Sequence, residues 1–253
     1  MGHERIVRAF QTAKTDPAFI PFVMAGDPDL PTTARVVRAL ADGGAALIEI
    51  GVPYSDPLAD GPVLQEAALR ALRAGTTPKD VLELVQSVRR TVDIPIVLLL
   101  YVNAVLQYGS EAFVREAALV GVDGLIVPDL PIEESESLLT LTKAHDVALV
   151  PLVAPTSTGR LGRILADREG FVYVVSSLGV TGKRDALDPS LGALIRTVRS
   201  ETALPIAVGF GLSRREQLVM LRGIADGAIV GSALVDHLAR GGTVEAWLEE
   251  MIG

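Results

Sequence analysis

The sequence predicts an α/β chain folded as one (β/α)8 TIM barrel, a single domain over residues 1–253 with an N-terminal helix and extra helices. Three observations carry that expectation. Eight short apolar runs recur along the chain, each followed by a polar or Gly/Pro loop and then a stretch of helical period. The runs are apolar at nearly every position, as in Ile96-Val-Leu-Leu-Leu100 and Phe171-Val-Tyr-Val-Val175, which marks strands covered on both faces and therefore a parallel sheet. Eight βα units also account for a chain of 253 residues with little left over.

The strands are expected to begin near Phe19, Leu47, Ile96, Gly124, Ala148, Phe171, Ile206 and Gly227. Helical periodicity covers 30–42, 64–74, 78–92, 111–119, 133–145, 158–167, 189–201, 213–221, 232–239 and 243–251. The first of these opens with Asp29 and Pro31, a side-chain cap and a helix-start proline, and stops at Gly43-Gly44. Only the interval from Leu47 to Ile96 is long, and it has room for an extra helix. No linker or shift of composition divides the chain. An open doubly wound sheet is the competing topology, but the first strand lacks the Gly-x-Gly-x-x-Gly turn that such a sheet uses.

Composition narrows the chemistry. Without cysteine there is no disulfide framework, thiolate metal site, iron–sulfur cluster or cysteine nucleophile. With 23 basic against 31 acidic side chains the net charge is -8, which argues against a nucleic-acid partner. The N-terminal residues mix charges, and the longest apolar run, 94–101, reads as a strand, far short of the ~18 residues of a membrane span. We therefore expect a soluble, cytoplasmic chain.

A barrel places its active site at the C-terminal ends of the strands. Those positions hold Asp27 after strand 1, Glu49, Ser55, Asp56 and Asp60 at strand 2, Tyr101 and Asn103 at strand 3, and Asp129 at strand 4. Pro155 and Thr156 follow strand 5, Gly179-Val-Thr-Gly182 strand 6, Gly209-Phe-Gly211 strand 7 and Gly231-Ser232 strand 8. Glycine-bearing turns after the last three strands suit a phosphate held by backbone N–H groups, which also reconciles an anionic ligand with an acidic protein. Gly211 and Gly231 allow close approach, and Ser232 can cap the following helix and donate to a phosphate oxygen. Each turn alone would also serve as an ordinary strand-to-helix connection.

Glu49 stands in the apolar strand Ala45-Ala-Leu-Ile-Glu-Ile-Gly51, where desolvation should raise its pKa toward neutrality and suit it to proton transfer. Asp56 and Asp60 share the loop Tyr54-Ser-Asp-Pro-Leu-Ala-Asp-Gly-Pro62, which its prolines stiffen; either could instead be a turn-former. The four lysines lie off the strands, so a Schiff-base aldolase has no nucleophile, and three histidines at the N-terminus and on helices offer no catalytic zinc site. Carbon–carbon or proton chemistry must then rest on carboxylates and on an electron sink in the substrate.

Phe19-Ile-Pro-Phe-Val-Met-Ala-Gly-Asp27, Glu49-Ile-Gly-Val-Pro-Tyr-Ser-Asp-Pro-Leu-Ala-Asp-Gly-Pro62, Val127-Pro-Asp-Leu-Pro131, Gly179-Val-Thr-Gly182, Gly209-Phe-Gly211 and Gly231-Ser232 together resemble the tryptophan synthase α subunit family, over essentially the whole chain. The strand 2 segment is the specific part; many phosphate-binding barrels share the glycine turns. The resemblance implies a metal- and cofactor-free retro-aldol cleavage of indole-3-glycerol phosphate to indole and glyceraldehyde 3-phosphate. It implies Glu49 as the general acid/base at indole C3 and Asp60 as the partner of the indole N–H. It implies indole-pocket walls at Phe22, Leu99, Tyr101, Ile126, Tyr173 and Phe210, and phosphate ligands at Gly182, Gly211, Gly231 and Ser232. Thr181 matches the residue that orders a closing loop, 179–189, against Asp60. A pyridoxal-phosphate-dependent β subunit is the implied partner in an αββα heterotetramer, docking over Asp56, Pro57, Asn103, Asp129 and Pro131 and receiving the indole. Two other readings stay open on the residues alone: another phosphate-binding biosynthetic barrel, for which indole-glycerol-phosphate synthase would need a strand lysine, and a barrel acting mainly to bind and activate a β subunit.

Overall fold

The structure, a computed structural model, describes residues 2–175, 189–209 and 211–253. In chain order the elements are α1 Gly2–Gln11, β1 Ala18–Met24, α2 Leu30–Asp42, β2 Ile48–Gly51, α3 Pro62–Arg73, α4 Pro78–Val88, β3 Ile96–Leu99, α5 Val102–Tyr108, α6 Ser110–Val120 and β4 Gly124–Ile126. Then come α7 Glu136–Ala144, β5 Ala148–Leu149, β6 Leu152–Val153, α8 Leu161–Leu165, β7 Val172–Val175, α9 Pro189–Glu201, β8 Ile206–Gly209, α10 Arg215–Met220, β9 Gly227–Val230, α11 Ser232–Ala239 and α12 Val244–Ile252. Single 3-10 segments at Ile132–Glu134 and Pro155–Arg160 precede α7 and α8.

All the strands pair in parallel, in the order β5-β4-β3-β2-β1-β9-β8-β7-β6. The ends of that list are two halves of the expected fifth strand, split at Val150-Pro151, where proline has no N–H for a ladder. Val150 N still donates to Leu125 O (2.9 Å) on one side, and Pro151 O accepts from Tyr173 N (2.9 Å) on the other. The eight-stranded ring therefore closes through this strand.

Side chains alternate strictly along the strands. Phe19, Val23, Ile48, Ile50, Leu98, Val172 and Val208 pack outward into the large core shared with the helices. Ile20, Leu47, Val97, Ile126, Val150, Phe171, Tyr173, Ala207 and Ile229 form a second cluster inside the ring. Both faces are thus apolar, which explains the unbroken hydrophobic runs in the sequence.

The N-terminal helix plugs the bottom of the barrel. Fully buried Ile6 and the Phe10 ring enter the interior cluster, with Phe10 5.6 Å from Phe171. Small residues make the room: a Cβ on Gly227 would lie 2.7 Å from Phe10 Cε1, and one on Gly124 would lie 3.4 Å from Ile6 Cδ1.

Two of the βα units begin with the same device. Asp123, just before β4, accepts from Ile96 N at the start of β3 (2.8 Å) and from Arg89 beyond the end of α4. Asp226, just before β9, accepts from Ile206 N at the start of β8 (2.7 Å) and from Arg199 of α9 (2.7 Å). An arginine seven residues before one strand and an aspartate one residue before the next recur half a barrel apart. Each ties a helix end to two strand starts on the face opposite the site.

Most boundaries match the sequence-based expectation, and α2 and α9 match it fully. Asp29 Oδ1 accepts from Thr32 N (2.6 Å) at the start of α2, and Gly44 after its end has φ +101°. The expected helices 133–145 and 158–167 are shorter, their first turns being 3-10 segments. One helix, α5, stands where a loop was expected.

Candidate active site

Glu49 lies in the middle of β2, 1% exposed, its Cα in register with Phe22 of β1 on one side and Val97 of β3 on the other. Alternation turns Ile48 and Ile50 outward and Glu49 toward the barrel axis. Burial, and secondarily the negative charge of Asp60, push its carboxyl up to about 8. Its Oε2 is buried with no hydrogen-bond partner among the described residues. An acid in that setting is protonated at neutral pH and has an oxygen directed at no protein group.

Asp60 reaches the same space from the loop between β2 and α3. Its backbone is gripped on both sides: Asp60 N donates to Pro57 O (3.0 Å), and Gln65 Nε2 donates to Asp60 O (2.9 Å). Partial burial pushes its carboxyl up to about 6, against a lowering hydrogen bond from the Tyr101 hydroxyl. The two acids are therefore driven apart: at neutral pH one is mainly protonated and the other mainly ionised, the arrangement that separates a proton donor from an electrostatic stabiliser.

Apolar side chains gather around these two acids. Phe22 stands between two glycines on the neighbouring strands: a Cβ on Gly51 would lie 2.5 Å from Phe22 Cζ, and one on Gly231 3.3 Å from Phe22 Cβ. Leu99 touches both the interior cluster and the Phe22 cluster, and the alanines Ala67, Ala68 and Ala71 let α3 approach the latter closely. Ile126 is fully buried in the interior. Tyr173 is buried, and its hydroxyl pKa is driven well up by burial and by the charges of Glu49 and Asp60, so the three groups share one field.

Gly211 and Gly231 follow adjacent strands, β8 and β9. Gly211 has φ +77°, a conformation that disfavours any residue with a Cβ. Gly231 occupies the cap position of α11 and Ser232 its first helical position, so Ser232 is not the cap expected from the sequence. The amides of that first turn give the mouth an anion-favouring helix terminus. Thr181, Gly182 and Phe210 lie outside the described residues, as does most of the expected loop 179–189.

On the rim, Asp56 accepts from Ser55 Oγ (2.6 Å), Asn103 Nδ2 donates to Tyr54 OH (3.1 Å), and Asp129 Oδ1 accepts from Val102 N (2.8 Å) at the start of α5. Asp56, Asn103, Asp129 and Pro131 are exposed, Pro57 partly so, and Leu58 among them is 92% exposed. Two features went unread in the sequence. Arg70 of α3 makes a bidentate pair with Asp27 (2.7 and 2.8 Å), bracing the loop after β1, and Tyr54 stacks on Tyr101 with ring centroids 5.0 Å apart. Both join residues more than forty positions apart, which local pattern does not register. Among the described residues no group of three or more acids and histidines is placed to hold a metal ion, and no helix is long and apolar enough to cross a membrane.

A parallel eight-stranded barrel with a protonated buried acid and an ionised acid at the C-terminal ends of its strands defines an α/β-barrel enzyme of carboxylate acid–base chemistry. A family model described as tryptophan synthase alpha chain matches residues 9–250. The chain belongs to that family. It is 46% identical over 239 residues to the tryptophan synthase alpha chain of Alkaliphilus metalliredigens, covering 94% of this chain and 90% of that one. With the protein of the same name from Synechococcus sp. it shares 50% identity over 224 residues, 88% and 83% of the two chains. Among solved structures it is similar to a chain of the tryptophan synthase a2b2 complex of the hyperthermophile Pyrococcus furiosus, with a TM-score of 0.87, 37% identity and coverage of 93% and 96%. A Mycobacterium tuberculosis tryptophan synthase chain gives a TM-score of 0.88 at 36% identity, covering 98% and 95%.

Proposed function

We infer that this chain, acting as one barrel domain, is the lyase that cleaves indole-3-glycerol phosphate to indole and glyceraldehyde 3-phosphate in tryptophan biosynthesis. The observation that carries the mechanism is the pair of separated acids, Glu49 near 8 and Asp60 near 6. Glu49 gives its proton to indole C3, and the ring becomes an indolenine cation whose N–H faces the Asp60 carboxylate. The glycerol hydroxyl next to C3 then loses its proton to the Glu49 carboxylate. The carbon–carbon bond breaks, its electrons restore the aromatic ring, and the hydroxyl carbon becomes the aldehyde. The proton lent is recovered, and the protonated ring is the electron sink. An ionised acid beside the developing charge supplies electrostatic stabilisation without reorganisation.

Phe22, Leu99, Tyr101, Ile126, Tyr173 and Phe210 are proposed as the indole walls, and Gly182, Gly211, Gly231 and Ser232 as the phosphate site, with Thr181 closing toward Asp60. The chain itself needs no cofactor in this reading. Asp56, Pro57, Asn103, Asp129 and Pro131 would dock a pyridoxal-phosphate-bearing β subunit in an αββα assembly in the cytoplasm, with indole handed across. Their common place on the rim of the mouth supports this, as does the assembly named for the Pyrococcus protein.

The test is indole release from indole-3-glycerol phosphate, with and without a β subunit, for wild type, Glu49→Gln and Asp60→Asn. We expect losses of about 10²-fold or more for Glu49→Gln. No indole from wild type under either condition, or an unimpaired Glu49→Gln, would overturn the assignment.

A further inference from the structure

Asp60 is held by its backbone, and among the described residues the Tyr101 hydroxyl is the group placed beside it to orient its carboxylate. Tyr101 OH accepts from Ala59 N at 3.0 Å, which engages the hydroxyl oxygen from one side. A phenol has a single proton, and with its oxygen engaged by Ala59 that proton is left for the neighbouring Asp60 carboxylate, whose pKa the Tyr101 hydroxyl lowers. The ring that carries this hydroxyl is itself fixed. Tyr101 is 2% exposed, and Tyr54 stacks on it with an interplanar angle of 18°. Asn103 holds the Tyr54 hydroxyl, and Asp129 holds the amide of Val102, the residue after Tyr101. Three separate segments, the loop after β2, the end of β3 with α5, and the loop after β4, thus converge on one phenol. A tyrosine needed only as an apolar wall would require none of them.

We propose that Tyr101 is a positioning residue, whose hydroxyl orients the Asp60 carboxylate toward the substrate nitrogen, with Tyr54 as the brace that holds the phenol in place. The proposal rests on the reading above that Asp60 faces the indole N–H. Among the described residues, the charged and titratable groups around that carboxylate are Glu49 from β2, Tyr101 from the end of β3 and Tyr173 from β7, with Asp129 acting on Tyr101. Of these Tyr101 is the one that lowers the Asp60 pKa, so its removal has a definite sign: the carboxylate loses a stabilising donor and its pKa rises.

Tyr101→Phe keeps the wall and the stack and removes only the hydroxyl. Tyr54→Leu keeps the hydroxyl and removes the brace. Indole release over pH would be compared with a carbon-13 NMR titration of the Asp60 carboxyl in each protein, circular dichroism confirming the fold. We expect Tyr101→Phe to lower kcat about 10-fold or more while KM changes less than about twofold, as for loss of a charge-assisted bond made to a group that acts in the transition state. The acid limb of its rate profile and the Asp60 titration should both move to higher pH, and Tyr54→Leu should show the same signs at smaller size. A rise in KM with kcat unchanged, or an Asp60 titration identical in wild type and Tyr101→Phe, would overturn the positioning role. Wild type that releases no indole would instead overturn the functional reading, and the carboxyl titration separates that failure from this one.

Discussion

The Tyr173 ring occupies the space that a side chain on Gly209 would need. A Cβ there would lie 2.5 Å from Tyr173 Cζ and 2.6 Å from Cε1, with the hydroxyl nearer still. Gly209 ends β8 beside Val175 of β7, so the ring leans along its own strand to cover the glycine on the next. Gly209→Ala must therefore displace the tyrosine from the site, and a displacement of about 1 Å is enough to cost on the order of 10²-fold in rate. Indole-release kinetics should show that loss. A second change, Tyr173→Val, should restore part of it by vacating the space, so that the two substitutions are non-additive. Additive losses in the double-mutant cycle would mean that the contact does not govern the site.

Glu49 also has a signature in stability. Its carboxyl rises from 4.5 to about 8 on folding, so the folded state keeps a proton that the unfolded chain releases. Stability is therefore unaffected by this group below about 4.5 and falls as pH rises from there to about 8, a loss of about 3 kcal/mol by pH 7. Asp60 adds a smaller loss of the same sign between 3.8 and about 6. Glu49→Gln cannot ionise and should be the more stable protein at pH 8, with little difference at pH 4.5. Urea denaturation at both pH values measures the gap; curves that run parallel would refute it.

In the proposed mechanism the same two acids set the pH dependence of the reaction. That mechanism needs Asp60 ionised and Glu49 protonated, so kcat should rise through about pH 6, hold, and fall through about pH 8. These limbs belong to the pair as a unit. Asp60→Asn should remove the acid limb and, because the Asp60 charge no longer raises Glu49, move the alkaline limb to lower pH, which a rate profile of the variant checks directly.

Glu49 was legible in the sequence because an acid between Ile48 and Ile50 breaks an otherwise apolar strand, and strand starts were legible because both faces of each strand are buried. What was not legible depends on contacts distant in sequence. Helix α5 has no cap of its own: its first amide, Val102 N, is satisfied by Asp129 from the loop after β4. Pro151 splits a strand whose two halves each find a different neighbour. Residues 158–160, expected as the first turn of a regular helix, belong instead to the 3-10 segment Pro155–Arg160, which holds Thr156, Ser157, Thr158 and Gly159, all weak helix formers. Tyr101 could be read as a wall from its position at a strand end, but the hydrogen bond that its hydroxyl accepts from Ala59 N joins two parts of the chain that no local pattern connects.

The repeated aspartate device allows one structural motif to be weighed at two degrees of burial. Around Asp123 the side chains are 12% exposed for Arg89 and 3% for the acid, with Arg5 at 3.4 Å as a second cation. Arg89 also donates to the carbonyls of Gly121 (2.7 Å), Val92 (3.1 Å) and Ile94 (2.6 Å). Around Asp226 the corresponding exposures are 44% for Arg199 and 36% for the acid. Solvent can replace the lost partner at the second site but not at the first. Asp123→Asn should therefore cost about 3 kcal/mol, most of it from a buried guanidinium left without its counter-charge. Asp226→Asn should cost about 1 kcal/mol or less, the range of exposed pairs with one backbone bond weakened. Urea midpoints of the two variants, at equal denaturant slopes, give the comparison. Equal costs would show that the backbone N–H bond from the start of the preceding strand, common to both sites, carries the stability and that the arginine does not.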